Sequence, residues 1–226
     1  MKRFFNKNLG NPQLFSAFTL AEVLITLGII GLVAEMTIPT LMNNTRDKEL
    51  KTAWKKAFSE LSQANLQIIQ ENGGVDFSGQ CNNFDDLCFR DLFAAKMKII
   101  KTCTGPISGG CAAPDSKFLD NTTLDSAGIG INSDSFPAIV NQQGVSVRFR
   151  YHVKDCSWGT PWSCGWMQVD VNGLKKPNTA GKDIFFIGLL KNRLMPFGEN
   201  NSPLNLSTDC APGGKGEACS AKYLYE

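Results

Sequence analysis

Residues 18–42 read FTLAEVLITLGIIGLVAEMTIPTLM, and this stretch decides the architecture. A helix of about 20 apolar residues, rising about 1.5 Å per residue, spans the ~30 Å hydrocarbon core of a bilayer. No other stretch of the chain qualifies. It follows a short cationic leader, MKRFFNKNLGNPQLFSA, which the positive-inside rule holds on the cytoplasmic face. The rest of the chain then lies across the membrane. A secretory signal peptide cut near Ala34 is the competing reading. Two features favour a retained anchor instead. Glu22 sits inside the apolar run, where a carboxylate costs about 3 kcal/mol on insertion scales, and apolar residues continue past Ala34 through Met36, Ile38 and Leu41.

The composition agrees with a folded domain outside the cytoplasm. Of 226 residues, 42% are hydrophobic and 19% charged, which excludes a wholly disordered chain. The formal charge is +2, and Lys2, Arg3 and Lys7 supply more than that excess. Without those three the remainder holds 20 basic and 21 acidic residues, so it offers no electrostatic footprint for nucleic acid. Eight cysteines accompany a single histidine. The intervals 81–88, 103–111, 156–164 and 210–219 are too loose for a zinc knuckle and suit disulfides in an oxidising compartment. Pairing each cysteine with its sequence neighbour is the simplest connectivity: Cys81–Cys88, Cys103–Cys111, Cys156–Cys164 and Cys210–Cys219.

Ala17-Phe18-Thr19-Leu20-Ala21-Glu22, then VLITLGIIGLVA and Pro39, resembles the N-terminal motif of type IV prepilins and type II secretion pseudopilins. The resemblance covers about 25 residues. It implies leader removal between Ala17 and Phe18 by a prepilin peptidase, N-methylation of Phe18, and assembly through Glu22 and Pro39. Two positions depart from the family pattern: Ala17 stands where Gly is usual, and Glu35 where the family is usually apolar. Glu35 lies thirteen residues, or ~20 Å, beyond Glu22, which places it near the outer interface. The mature Phe18 amine is a cation one helical turn from Glu22. In a filament, Glu22 of one subunit can neutralise the Phe18 amine of its neighbour, which makes the acid a register device; a carboxylate that only snorkels to the interface is the alternative. Gly28 and Gly31 permit close helix approach, although their spacing is not GxxxG. Pro39 should bend or locally melt a helix passing through it.

The helix is expected to run on to about Glu71. Leu50, Trp54, Ala57, Phe58, Leu61, Ala64, Ile68 and Ile69 recur at spacings of three and four, Lys48, Lys51, Lys55, Lys56 and Glu60 fall mostly opposite, and Asn72-Gly73-Gly74 closes it. Trp54 and Phe58 should pack on a sheet. Asn83 is placed as the cap of a second helix through Phe84, Leu87, Cys88, Leu92, Ala95 and Ile99. Residues 101–135 read as loop. Strands are expected at Val145–Tyr151, Gly165–Val171 and Asp183–Leu190, with a short last one at Ala221–Tyr225, separated by turns at Gly159-Thr160-Pro161, Asn172-Gly173 and Lys191-Asn192-Arg193. The fold class is α+β. A long N-terminal helix, half membrane and half amphipathic, packs on a small antiparallel sheet with disulfide-stabilised loops, the pilin-like arrangement that the resemblance implies. Its divisions are a leader at 1–17, a transmembrane and assembly helix at 18–42, and a periplasmic globular domain at 43–226.

The segment DVNGLKKPNTAGKD, residues 170–183, gathers Asp170, Asn172 and Asp183. Such oxygens suit calcium, Ca2+, which takes six to eight oxygen ligands, and the resembled major pseudopilins carry a calcium loop between late strands. The same side chains hold tight turns by bonding their own backbone, and both readings stand at this point. Catalysis finds little support. His152 has no orienting third group, a disulfide consumes the Cys156 thiol, and the chain has no phosphate loop, dinucleotide fingerprint or HExxH. Trp158, Trp162 and Trp166 cluster about Cys156 and Cys164; they make either a sugar-stacking or protein-contact surface or, in the commoner use of Trp, internal packing.

The expected function is therefore non-enzymatic: a structural subunit of a type II secretion pseudopilus or type IV pilus. Its partners would be other pilin subunits, a prepilin peptidase and an inner-membrane assembly platform. It would sit in the inner membrane by a single helix before entering a periplasmic or surface filament. The alternatives are a minor or tip pilin acting as an adhesin, and a signal-anchored periplasmic enzyme.

Overall fold

The distal half of the first helix shows how the fold is seeded. In α1 (Leu20–Glu71), Leu50, Trp54, Ala57, Leu61, Ala64, Ile68 and Ile69 are buried and recur at helical spacing, so one stripe faces a core while the lysines between them stay wet. Gly73 and Gly74 follow in the left-handed region, at φ 98° and 76°, and the Gly74 N–H donates to the Ile69 carbonyl at 2.9 Å. This satisfies a carbonyl of the last turn that the helix itself leaves bare.

The computed structural model describes residues 19–124, 134–159, 163–200, 202 and 204–226. The chain divides into two units, Met1–Thr45 and Arg46–Glu226. In the second, α2 (Asp86–Ala94) precedes β1 (Ile99–Cys103), β2 (Ala138–Asn141), β3 (Ser146–Tyr151), β4 (Gly165–Asp170), β5 (Ile184–Leu189) and β6 (Leu194–Pro196), and two short helices, α3 (Leu206–Asp209) and α4 (Cys219–Tyr225), finish the chain. The six strands form one antiparallel sheet in sequence order.

Period-two alternation sorts the strands into two faces. Val147, Phe149, Met167, Val169, Phe185 and Ile187 share a core with Trp54, Leu61 and Ile68 of α1 and with Phe89 and Phe93 of α2. Trp54 stacks on Phe185, with centroids 4.6 Å apart, and its Nε1–H donates to the Ser220 carbonyl at 2.9 Å. Full burial of side chains of this size contributes about 1.5–3 kcal/mol each. On the opposite face Ile184 and Phe186 pack on Phe118, Leu124 and Ala180. Ser146, Arg148, Gln168 and Asp170 also lie there, buried and polar.

Several expectations need correction. The cap of α2 is Asp85, whose Oδ1 accepts from the Cys88 N–H at 2.9 Å; Asn83 instead accepts from the Lys154 N–H. The helix ends at Ala94, and Ile99 opens a strand. β1 and β2 lie in or beside the stretch assigned to loop, and β6 was not expected at all. All three are short, and β6 ends in Pro196, which suits the sheet edge it occupies. Ala221–Tyr225 is helix rather than strand. Its AKYLY alternation fits either period over so few residues, and packing decides: Ala221 is buried, and Tyr223 sits edge-on to Phe185.

Candidate functional site

In the first unit, the helical turns from Leu20 expose their large apolar side chains. Leu24, Ile25, Leu27, Ile29, Ile30, Leu32, Met36, Ile38 and Leu41 are all exposed. One helix near the N-terminus is thus long and apolar enough to cross a membrane. Ala17 and Phe18, the expected cleavage and methylation positions, lie outside the described residues. Glu22 stands in the first turn of α1. Its Oε2 accepts from the Thr19 N–H and from the Thr19 hydroxyl, both at 2.9 Å, and the Glu22 N–H donates to Thr19 Oγ1 at 3.2 Å. This is a reciprocal capping box. A T-x-x-E spacing, Thr19-Leu20-Ala21-Glu22, announces it.

Pro39 lies inside α1, which stays helical on both sides of it; the expected local melting does not occur. The ring removes one N–H, and the turns before and after it carry the helix through. A Cβ added at Gly28 or Gly31 meets nothing within 4 Å, so neither glycine serves a close contact within the described chain. Glu35 is exposed.

The loop joining β4 to β5 brings Asp170, Asn172 and Asp183 together. Asp183 is fully buried. Its Oδ2 accepts from the Asn178 N–H at 2.8 Å and its Oδ1 from the Thr179 N–H at 2.7 Å, which fixes Asn178 in the left-handed region, φ 50°. Asp170 accepts from the Asn172 N–H at 3.2 Å. Burial, then the nearby Asp183 charge, pushes the Asp170 carboxyl well above the usual carboxylate range, and burial also raises Asp183. Among the described residues neither is in an ion pair. Asn172 Oδ1 and Asn178 Oδ1 are buried without a hydrogen-bond partner. Sequence reasoning passed over Asn178, although the Pro-Asn pair at 177–178 marks a turn. No group of three or more His, Cys, Asp or Glu capable of holding a metal occurs among the described residues. A cation here would take two carboxylates and these two amide oxygens, an all-oxygen set of the kind hard cations accept.

The cysteines pair as Cys81–Cys88, Cys103–Cys111, Cys156–Cys164 and Cys210–Cys219. His152 is half-buried, and its ring stacks on Trp158, 4.8 Å between centroids and 3° between planes. Burial, then the Arg150 charge, lowers its pKa to about 4, so at neutral pH it is uncharged. Trp166 packs edge-on to Phe136. Trp158, in contrast to the internal packing usual for Trp, is 48% exposed. Trp162 lies outside the described residues. Comparison with protein-family models, with curated proteins and with solved structures finds no match.

Proposed function

We propose that the chain is a structural, non-enzymatic subunit of a type II secretion pseudopilus or type IV pilus, inserted as a prepilin, cut before Phe18 and assembled through its N-terminal helix. The observation that carries this reading is the position of Glu22. The acid stands in the first turn of α1, in the run Ala17-Phe18-Thr19-Leu20-Ala21-Glu22, and the large apolar side chains of the helix from Leu20 to Met42 are exposed. Exposed apolar helix faces of this length need lipid or other helices around them, and a filament core supplies both in turn. The α+β body with a six-stranded antiparallel sheet and four disulfides is compatible with a pilin-like head.

The capping box refines the role of Glu22. Its Oε2 is engaged by Thr19, so a neighbour's Phe18 amine would approach an acid whose geometry is already fixed. Docking then adds a charge-assisted bond without first ordering the side chain. Cellular expression with the cognate assembly genes tests the proposal. Mass spectrometry should find a methylated Phe18 as the first residue of mature protein. Glu22→Ala should insert into the membrane at normal levels yet enter filaments at least tenfold less. A mature chain beginning elsewhere, or normal incorporation of the variant, would overturn the reading.

A further inference from the structure

Phe84 combines two unusual properties: its backbone is left-handed, φ 60°, and this large apolar residue is 53% exposed. Holding a non-glycine residue at positive φ costs on the order of 1 kcal/mol or more. Here the strain leaves about half of an apolar side chain in water. Such an arrangement persists only when the surroundings impose it. The Phe84 N–H donates to the His152 carbonyl at 3.0 Å, the Gly79 N–H to the Lys154 carbonyl at 2.8 Å, and the Lys154 N–H to Asn83 Oδ1 at 2.9 Å. Cys81–Cys88 closes the loop that carries Phe84, and Cys156–Cys164 closes the loop that carries Trp158. Trp158 exchanges two backbone hydrogen bonds with Ser163, at 3.2 and 3.0 Å.

The two rings meet at a right angle, 6.1 Å between centroids and 85° between planes. Stacking on His152 fixes the tilt of the indole. The Arg150 guanidinium lies 5.7 Å from the Phe84 ring and is paired with Asp86 at 3.0 Å. Around this corner Asn82, Asn83, Lys154, Asp155 and Ser157 are exposed and polar. Size separates the possible occupants. Two half-exposed aromatic rings offer on the order of 200 Å², far below the ~800 Å² per partner of a stable protein interface. That area matches one sugar ring, whose axial C–H groups stack on an aromatic face while its hydroxyls reach polar neighbours. A rigid corner adds affinity because little is ordered on binding.

We infer that Phe84 and Trp158 form a carbohydrate-binding corner that takes one residue of a β-1,4-linked glucose- or N-acetylglucosamine-type glycan, its C–H face on the indole and its hydroxyls toward the polar rim. This inference does not rest on the filament reading. The full chain in a zwitterionic, sugar-free detergent is titrated with chitotriose and with cellotriose, and binding is followed by calorimetry and tryptophan fluorescence. At least one trisaccharide should bind with Kd of about 0.1–1 mM. Trp158→Ala should weaken it at least tenfold and Phe84→Ala severalfold, while Trp158→Phe restores part of the loss. Both side chains are exposed, so these variants should melt within about 3 °C of the parent, which separates lost stacking from lost folding. Absence of binding by both sugars up to about 10 mM, or unchanged affinity in a folded Trp158→Ala chain, overturns the proposal.

Discussion

Glu217 is an acid that folding removes from water: it is 8% exposed. Burial and the nearby Asp209 charge, opposed by Lys215, raise its pKa to about 7. Asp209 is itself held in place, accepting from the Ala218 N–H at 2.6 Å. A carboxyl raised on folding favours the folded state below its unfolded value. It then loses that advantage as pH rises through the folded value, because the unfolded chain releases the proton first. Stability associated with Glu217 should therefore fall between about pH 4.5 and 7. Glu217→Gln removes the ionisation while keeping shape. Its gain in unfolding free energy over the parent should be small at pH 4 and rise to at most about 3 kcal/mol at pH 8. Denaturant unfolding at the two pH values, with disulfides intact, measures this. An equal gain at both would mean that Glu217 titrates normally. His152 acts in the reverse direction, since a base lowered to about 4 costs stability as pH falls below its unfolded value, so the comparison must be made against the parent at each pH.

Elements differed in how far the sequence disclosed them. α1 was legible because the apolar run at 18–42 and the more than five turns of amphipathic spacing from Leu50 to Ile69 both carry the helical signal, and β3, β4 and β5 because each is a six-residue run between turn signals. β2, β6 and α4 hold 4, 3 and 7 residues, too few for either period to declare itself, and their state is set by what they pack on. The α2 cap was misplaced by two residues because Asn83 and Asp85 are both good caps, and only the turn after β3, where the Lys154 N–H engages Asn83 Oδ1, leaves Asp85 to cap the helix. In the 170–183 loop the carboxylates were visible, but their roles were not. That Asp183 holds two backbone N–H groups is a tertiary fact, as is the burial of two amide oxygens without partners. Those features give the loop a double expectation. Asp183→Asn turns an amide N–H2 toward at least one of the backbone donors and should cost about 1–3 kcal/mol. Millimolar Ca2+ should raise the melting temperature of the parent through the free amide oxygens and carboxylates and leave Asp183→Asn unmoved. Calorimetry without heat on Ca2+ addition, together with an unchanged melting temperature, assigns the loop a purely structural turn.

At the scale of the whole molecule, the core and the apolar surface are drawn from different parts of the chain. In α1 the buried residues begin at Leu50, inside the unit Arg46–Glu226, whereas the large apolar side chains from Leu20 to Met42 are exposed. The hydrophobic contribution to folding therefore comes from residues after Thr45, and the four disulfides, each closing a loop of 7 to 9 residues, add about 2–3 kcal/mol apiece in the chain-entropy model. A chain begun at Arg46 loses none of these interactions. It loses only the about seven turns of α1 between Leu20 and Thr45, N-terminal to the packed stripe, and a helix end exposes the same four N–H groups wherever it falls. Such a truncation should be monomeric without detergent and should unfold within about 1 kcal/mol of the full chain in micelles, with all eight cysteines oxidised. The full chain should sediment as aggregate once detergent is withdrawn, because the exposed stretch far exceeds the apolar patch a soluble monomer carries. Analytical ultracentrifugation and denaturant unfolding of both chains test this division. A truncated chain that is unfolded, or a full chain that stays monomeric without detergent, would mean that the helix before Arg46 is covered by the protein itself rather than by lipid or neighbouring helices.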